Sequence, residues 1–251
     1  MLLLRHSRFR RKPFREKLLV RKSISLLPNI FTLGNAFFGY LSIVFTANED
    51  FIGASYFILL GALFDFLDGR VARYLKISSE FGVQLDSFSD LVSFCLAPAF
   101  LMYFWQLNKL GFIGFLGTAF FLIAGLLRLA KFNLTSSEQS LFFLGVPTTI
   151  SGCFFATLLL NSGKIIPSNF FVFILLFLEI LFGFLMISSI RFPTFKGNIR
   201  LGKNWLKAIF LVFVAFMAVM KLHTLLLLLF LFYFAFSLLL IFKQGLFFQD
   251  E

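Results

Sequence analysis

Histidine and cysteine are almost absent from this chain, two of each among 251 residues, and only 14% of the residues are charged. Cys95 and Cys153 stand in apolar runs without metal-ligand spacing, so they read as small buried hydrophobes and imply no disulfide. Acidic residues are scarcer than basic ones, 12 against 23 Lys and Arg, and six prolines leave long stretches unbroken. What is present is apolar: 59% of the residues are hydrophobic, 42 are phenylalanine, and the mean hydropathy is +0.93. A soluble core of this length cannot hide so much apolar surface, which makes lipid the solvent for most of the chain.

An apolar run of about 20 residues crosses the hydrocarbon. Such runs predict an all-α integral membrane protein with about eight transmembrane helices, at roughly 29 to 47, 51 to 70, 86 to 106, 111 to 128, 144 to 161, 169 to 190, 205 to 220 and 224 to 242. Residues 1–27 form a basic juxtamembrane leader suited to an anionic membrane surface, or alternatively a solvated tail. Residues 28–200 carry every polar feature that looks chemical. Residues 201–251 hold two nearly featureless spans and a short tail, suited to packing, dimer contact or lipid contact. No cleaved signal peptide is expected.

The net charge of +11 does not imply nucleic acid, because the basic residues sit between apolar spans and form no soluble face. Orientation explains them. With the N-terminus in the cytoplasm, 20 of the 23 Lys and Arg fall on the inside and only Lys109, Lys164 and Lys221 on the outside. Both termini are expected to face the cytoplasm, with the chain in the cytoplasmic membrane.

The second span runs into Asp65, Asp68, Gly69, Arg70 and Arg73, and the third opens with Asp86 and Asp90. A carboxylate at membrane depth costs about 2.5 to 3.5 kcal/mol, so two on each of two successive helices need a specific compensation. Asp65 and Asp68 are three apart and Asp86 and Asp90 four apart, so each pair shares one helix face. Hard oxygen ligands with no histidine nearby favour Mg²⁺ or Mn²⁺, and two ions among four carboxylates suit a pyrophosphate substrate. Gly69 and Gly82 leave room for a ligand or a neighbouring backbone. Pairing of the four Asp with Arg70, Arg73 and Lys76 is the plainer alternative. Ion conduction by intramembrane Asp is another, although the carboxylates cluster at one end of two spans and leave no acidic trail.

The pattern Asp65-x-x-Asp68-Gly69-x-x-Ala72-Arg73, eight residues, Gly82-x-x-x-Asp86-x-x-x-Asp90 resembles the signature of the CDP-alcohol phosphatidyltransferase family at every defined position. The resemblance implies a six-helix core in which Asp65, Asp68 and Asp86 hold divalent metal while Asp90 completes the site and acts as base. It also implies that cytidine and its diphosphate lie against Gly69, Arg73 and Gly82, on the cytoplasmic side.

Further matches are to the serine-using bacterial branch of that family: Pro28-Asn29-x-x-Thr32-x-x-Asn35-x-x-x-Gly39, Val92-Ser93-Phe94, Ala97-Pro98-Ala99, Arg128-Leu129-Ala130-Lys131-Phe132-Asn133 and Arg191-x-Pro193-x-Phe195-Lys196. They imply transfer of the phosphatidyl group from CDP-diacylglycerol to L-serine with release of CMP. Inositol phosphate or glycerol phosphate as acceptor would demand more cations. Arg128 suits the serine carboxylate, with Lys131, Asn133, Arg191 and Lys196 as further candidates; all five also fit as interfacial polar groups. Thr32 and Asn35 share a face and suit hydrogen bonds to the nucleotide or phosphate, or to a neighbouring helix. The chain departs from the family pattern at Cys95, Lys131, Thr148 and Thr149. Glu179 stands alone among apolar residues of the sixth span, a candidate functional acid or a group protonated or paired at a dimer seam. A homodimer in contact with membrane lipids is the expected assembly.

Overall fold

In hydrocarbon a backbone polar group finds no water, so apolar runs of this length close their hydrogen bonds internally as helices. The computed structural model describes residues 26–75, 79–135, 142–162, 169–188, 191–193, 224 and 226–232. Seven α-helices are described within them: α1 Leu26–Ala47, α2 Phe51–Leu75, α3 Glu80–Asp90, α4 Ala97–Trp105, α5 Phe112–Thr135, α6 Thr148–Ser162 and α7 Asn169–Ile187. A π-helical turn, Leu91–Leu96, joins α3 to α4 into one rod. These elements correspond to the first six predicted spans. The seventh, 205 to 220, lies outside the described residues, and within the eighth residues 226–232 are helical.

Among the described residues five helices are long and apolar enough to cross a membrane: Pro28–Ala47, Phe51–Leu75, Glu80–Trp105, Phe112–Leu134 and Phe170–Ile187. The 15-residue α6 is shorter than the predicted span at 144 to 161. At about 1.5 Å per residue it falls short of a hydrocarbon core of about 30 Å. The reason lies just before it. Phe142–Leu144 is a β-strand, β1, paired antiparallel with β2, Arg191–Pro193, so that Leu144 stands opposite Arg191. Gly145 then takes φ +72° and the Val146 N–H donates to Leu185 O at 3.2 Å, docking the turn on the C-terminal end of α7. Apart from this ribbon the described residues are helical or form connecting turns.

The helices alternate in direction. α1, α3 and α6 begin at the end of the bundle where α2, α5 and α7 finish. α1 runs along α2, α5 runs along α7, and α6 packs against α2 and the π-helical turn. Phe94, Leu101, Met102, Phe121 and Phe155 fill the interior. Phe154 stacks on Phe182 with ring centroids 4.6 Å apart, and Phe121 meets Phe155 edge-on at 5.3 Å. Phe37, Phe115, Phe177 and Phe184 point outward, as lipid-facing bulk should. Of Gly111, Gly114 and Gly117, three glycines that suit close helix packing, the last two serve it, since a Cβ on either would overlap Leu107 or Leu176, whereas one on Gly111 would meet nothing within 4 Å among the described residues.

At Gly145 a Cβ would meet Met186 O in a backbone conformation that side chains rarely adopt. Gly145→Ala is expected to cost about 1–3 kcal/mol and to lower the unfolding midpoint in detergent; an unchanged midpoint would show that the ribbon turn is not a fixed point of the fold.

Candidate active site

α2 stays apolar until Asp65 and then turns polar over its last three turns. α3 starts abruptly because the side chain of Ser79 accepts the Gly82 N–H at 3.0 Å, capping the helix, with Glu80 in its first turn. Gly82, Asp86 and Asp90 therefore follow one another at four-residue steps along one face. Asp65, Asp68 and Asp86 meet across the two helices and each offers an oxygen, all within 4.8 Å of one another. Asp90 sits one turn further into the bundle, where its Oδ1 accepts from Asn35 Nδ2 at 3.2 Å.

Asp68 Oδ2 and Asp86 Oδ1 are buried without a hydrogen-bond partner among the described residues. A buried polar atom left unsatisfied costs about 1–3 kcal/mol, more for a charged group. Like charges this close add repulsion. Orphaned carboxylate oxygens converging on one point are the donor set of a hard divalent cation, so these residues fit one. The plainer alternative of pairing with the nearby arginines is not what the described residues adopt. The Arg70 guanidinium lies over the Phe66 ring at 4.4 Å, and Arg73 Nε donates to Gly69 O at 2.7 Å. Lys76 lies outside the described residues.

Two clefts flank the cluster and share Val83 and Asp86 as their common wall. The first, about 160 Å³, lies between Pro28, Asn29 and Thr32 of α1, Asp68, Gly69 and Ala72 of α2, and Ser79 and Gly82 at the start of α3. Gly69 and Gly82 differ in what they make possible. A Cβ on Gly82 would press on the capping Ser79 Oγ at 3.0 Å, whereas one on Gly69 would meet nothing closer than Arg73 Nη2 at 3.9 Å. Protein packing does not require glycine at 69.

The second cleft, about 180 Å³, is bounded by Ser87 and Asp90 of α3, Arg128, Leu129, Phe132 and Asn133 of α5, and Pro147, Thr148 and Thr149 where α6 begins. Arg128 Nη1 donates to Thr148 Oγ1 at 3.4 Å. Ser87 Oγ donates to Asn133 Oδ1 at 3.1 Å, and Asn133 Nδ2 reaches Gln84 Oε1 at 3.5 Å, so Asn133 ties α5 to α3.

The residues singled out in the sequence thus separate. Thr32, Gly69 and Gly82 line the first cleft; Arg128 and Asn133 line the second with Asp90. Arg73 is exposed and bonded within α2, lining neither cleft. Asn35, fully buried, also lines neither and instead holds Asp90. Lys131 is exposed on α5, outside the second cleft. Arg191 belongs to β2, and Lys196 lies outside the described residues. Glu179 is wholly buried within the single chain, which removes the dimer-seam reading; neither of its carboxylate oxygens has a hydrogen-bond partner among the described residues. Asn29, Ser87, Thr148 and Thr149 were not singled out as site residues. Their signal is polar residues in helical register with Thr32 and Asp90, Asn29 three before the one and Ser87 three before the other, and a threonine pair directly after Pro147 at a helix start.

Residues 25–185 match the family described as CDP-alcohol phosphatidyltransferase. The chain is 32% identical to a CDP-diacylglycerol–serine O-phosphatidyltransferase of Helicobacter pylori over 203 residues, 80% of this chain and 83% of the relative. A Bacillus subtilis protein of the same name is 36% identical over 175 residues, 70% of this chain and 94% of the relative. One from Methanocaldococcus jannaschii is 35% identical over 180 residues, 72% and 79% of the two chains. With five helices among the described residues long and apolar enough to cross a membrane, and with this match, the chain is a multi-pass membrane protein that belongs to the CDP-alcohol phosphatidyltransferase family.

Proposed function

We propose that this protein transfers the phosphatidyl group of CDP-diacylglycerol to the hydroxyl of L-serine, forming phosphatidylserine and CMP. The observation that carries the reading is the pair of clefts meeting at Asp86 beside three converging carboxylates, one cleft glycine-lined and the other holding Arg128. A reaction between a nucleotide lipid and a small zwitterion needs two such compartments with the reacting phosphorus at their junction. The names borne by the relatives support the same substrates.

In this reading the donor's cytidine diphosphate occupies the first cleft, where Gly69 leaves space that no protein atom claims. Thr32 and Gly82 border it, and Arg73 flanks its mouth. The serine carboxylate pairs with Arg128, a planar fork suited to bidentate contact. Asn133 shapes the pocket through Ser87 and Gln84. Lys131, Arg191 and Lys196 are the further candidates for the serine carboxylate. Asp90 takes the proton of the serine hydroxyl; the hydroxyl oxygen bonds to the phosphorus that carries diacylglycerol, and the bond from that phosphorus to CMP breaks, CMP leaving with the electron pair. Asp65, Asp68 and Asp86, with Asp90 at the edge, would hold divalent cation, Mg²⁺ or Mn²⁺ and two ions by carboxylate count, and bound cation supplies charge neutralisation for the pyrophosphate. Among the described residues lining the second cleft Arg128 is the sole cation, which favours serine over inositol phosphate or glycerol phosphate. The carboxylates gather at one end of the bundle and leave no path across it, which disfavours a divalent-cation transporter.

The remaining architecture follows the charge distribution. Arg70, Arg73 and Arg128 mark the end of the bundle that holds both clefts, the end entered from the basic residues 1–27. By the excess of Lys and Arg that end faces the cytoplasm, together with both termini, in the cytoplasmic membrane. Eight spans, six in a catalytic core over 28–200 and two in 201–251, complete a chain that works as a homodimer among membrane lipids.

Purified protein in detergent should release CMP from CDP-diacylglycerol with L-serine and Mn²⁺ or Mg²⁺, and not with glycerol 3-phosphate or inositol 1-phosphate. EDTA should abolish the release; metal-dependent release with another acceptor would discard the serine assignment. Asp90→Asn should lower kcat by at least about 10²-fold while keeping CDP-diacylglycerol binding. Asp86→Asn should in addition weaken Mn²⁺ binding, read from the spin-resonance signal of free Mn²⁺. Arg128→Ala should raise the KM for serine well above any change in the KM for CDP-diacylglycerol; equal rises would place Arg128 with the donor or the fold.

A further inference from the structure

Beyond Asp90 the rod of α3 and α4 is not a regular helix. The Ala97 N–H reaches back five residues to Val92 O, closing a π-helical turn over Leu91–Leu96. Pro98 follows and has no N–H to offer the carbonyl of Phe94, four residues before it. A π-helical turn beside a reactive carboxylate is an irregularity that the neighbours must hold in place.

They hold it by close backbone approach. Gly39 of α1 lies so near that a Cβ there would stand 2.8 Å from Ser93 Cα. On the opposite side Gly152 of α6 does the same to the next residue, its Cβ position falling 2.8 Å from Phe94 Cα and 2.9 Å from Phe94 O. Ser93 Oγ, fully buried, donates to Asn35 O at 2.8 Å. Asn35, also fully buried, returns to the same rod and donates from Nδ2 to Asp90 Oδ1. A third glycine, Gly61 of α2, closes the remaining side: a Cβ there would come within 3.0 Å of Asn35 Oδ1. Among the described residues the side-chain amide of Asn35 bonds Asp90 alone, its Oδ1 being buried without a partner, and it has little room to turn.

We propose that Asn35 is the positioning residue of Asp90, locked by Ser93 and the π-helical turn, and not a ligand of the nucleotide. The inference rests on the reading that Asp90 accepts the serine proton. A carboxylate free to rotate beside three others would spread its orientations between the metal cluster and the acceptor cleft. One fixed oxygen leaves the other aimed at the acceptor hydroxyl. An amide does this without charge, whereas a lysine or arginine at the same place would neutralise the base it serves. Misplacement of a reacting group by about 1 Å can cost on the order of 10²-fold in rate.

Steady-state CMP release by the full-length protein tests this with Asn35→Ala and Ser93→Ala. For Asn35→Ala the expected result is a loss of kcat of about 10²-fold, with the KM values for CDP-diacylglycerol and serine and the affinity for Mn²⁺ within about threefold of wild type. Ser93→Ala removes only a hydroxyl and should lower kcat alone, by less. A rise in the KM for CDP-diacylglycerol at unchanged kcat would make Asn35 a nucleotide ligand and overturn the proposal. So would losses that follow only the folded fraction measured by the unfolding midpoint, or a Ser93→Ala protein with wild-type kcat beside an Asn35→Ala protein that does not fold. Serine-independent release by the wild-type protein would bring down the underlying reading itself, and is distinguished by that control.

Discussion

Negative charge inside an apolar bundle is the constraint on which the rest of this structure depends. Asp65, Asp68, Asp86 and Asp90 sit on helices whose outer faces meet lipid, and each would cost about 2.5 to 3.5 kcal/mol there without compensation. The fold answers in three ways. It brings the carboxylates to the end of the bundle that carries Arg70, Arg73 and Arg128. It opens α6, whose first turn carries Thr148 and Thr149, beside the second cleft, so that the positive end of a helix dipole lies near the acidic residues. It leaves Asp68 Oδ2 and Asp86 Oδ1 without hydrogen-bond partners among the described residues, a donor pair that a divalent cation would satisfy. Cation binding at this site would be coupled to folding, since the charge that would hold the ion is the charge that is costly inside the bundle.

Holding such a site to sub-ångström tolerance requires helices that touch through backbone and not through long side chains. Lipid tails are as apolar as leucine, so little hydrophobic drive presses these helices together and close packing does more of the work. Gly39, Gly61 and Gly152 let α1, α2 and α6 close on the rod of α3 and α4 around Asp90. The same device recurs away from the chemistry, where Gly117 admits Leu176 and Gly183 admits Phe120 between α5 and α7.

How much of this could be read from the residues depends on whether the signal was local. Six helical spans were legible because apolar runs of fixed length are a property of contiguous sequence, and the carboxylates because spacings of three and four put them on shared faces. The shortening of α6 was not legible: 144–147 is as apolar as the span that follows, and only the pairing of Leu144 with Arg191, 47 positions away, makes a strand of its first residues. Sharing a face with Thr32, Asn35 suits the nucleotide by sequence alone. The structure separates the two: Thr32 borders the first cleft while Asn35, one turn deeper, meets Asp90 across 55 residues of sequence. Nor does any local pattern announce a π-helical turn; Pro98 removes one hydrogen bond, but where the extra residue is absorbed depends on Gly39 and Gly152 in other helices.

The two clefts differ in the same respect. The first is built mainly from a single continuous motif spanning the end of α2 and the start of α3, so a defined spacing suffices to specify it. The second joins α3 to α5 and α6, and its shape depends on contacts between distant segments. Three of the four departures from the family pattern meet there. Cys95 is buried against Gly125 of α5, whose missing Cβ leaves room for the sulfur. A Cβ on Gly125 would also lie 3.8 Å from Thr148 Cγ2, and Thr148 in turn accepts from Arg128, one turn along α5 from Gly125. Thr149 completes the same wall. Volume gained at Cys95 is matched by volume absent at Gly125, and the hydroxyl gained at Thr148 is satisfied by Arg128. These departures are therefore coupled along the wall of the second cleft around Arg128, and through Thr149, whose side chain hydrogen-bonds Asp65, they reach the carboxylate cluster.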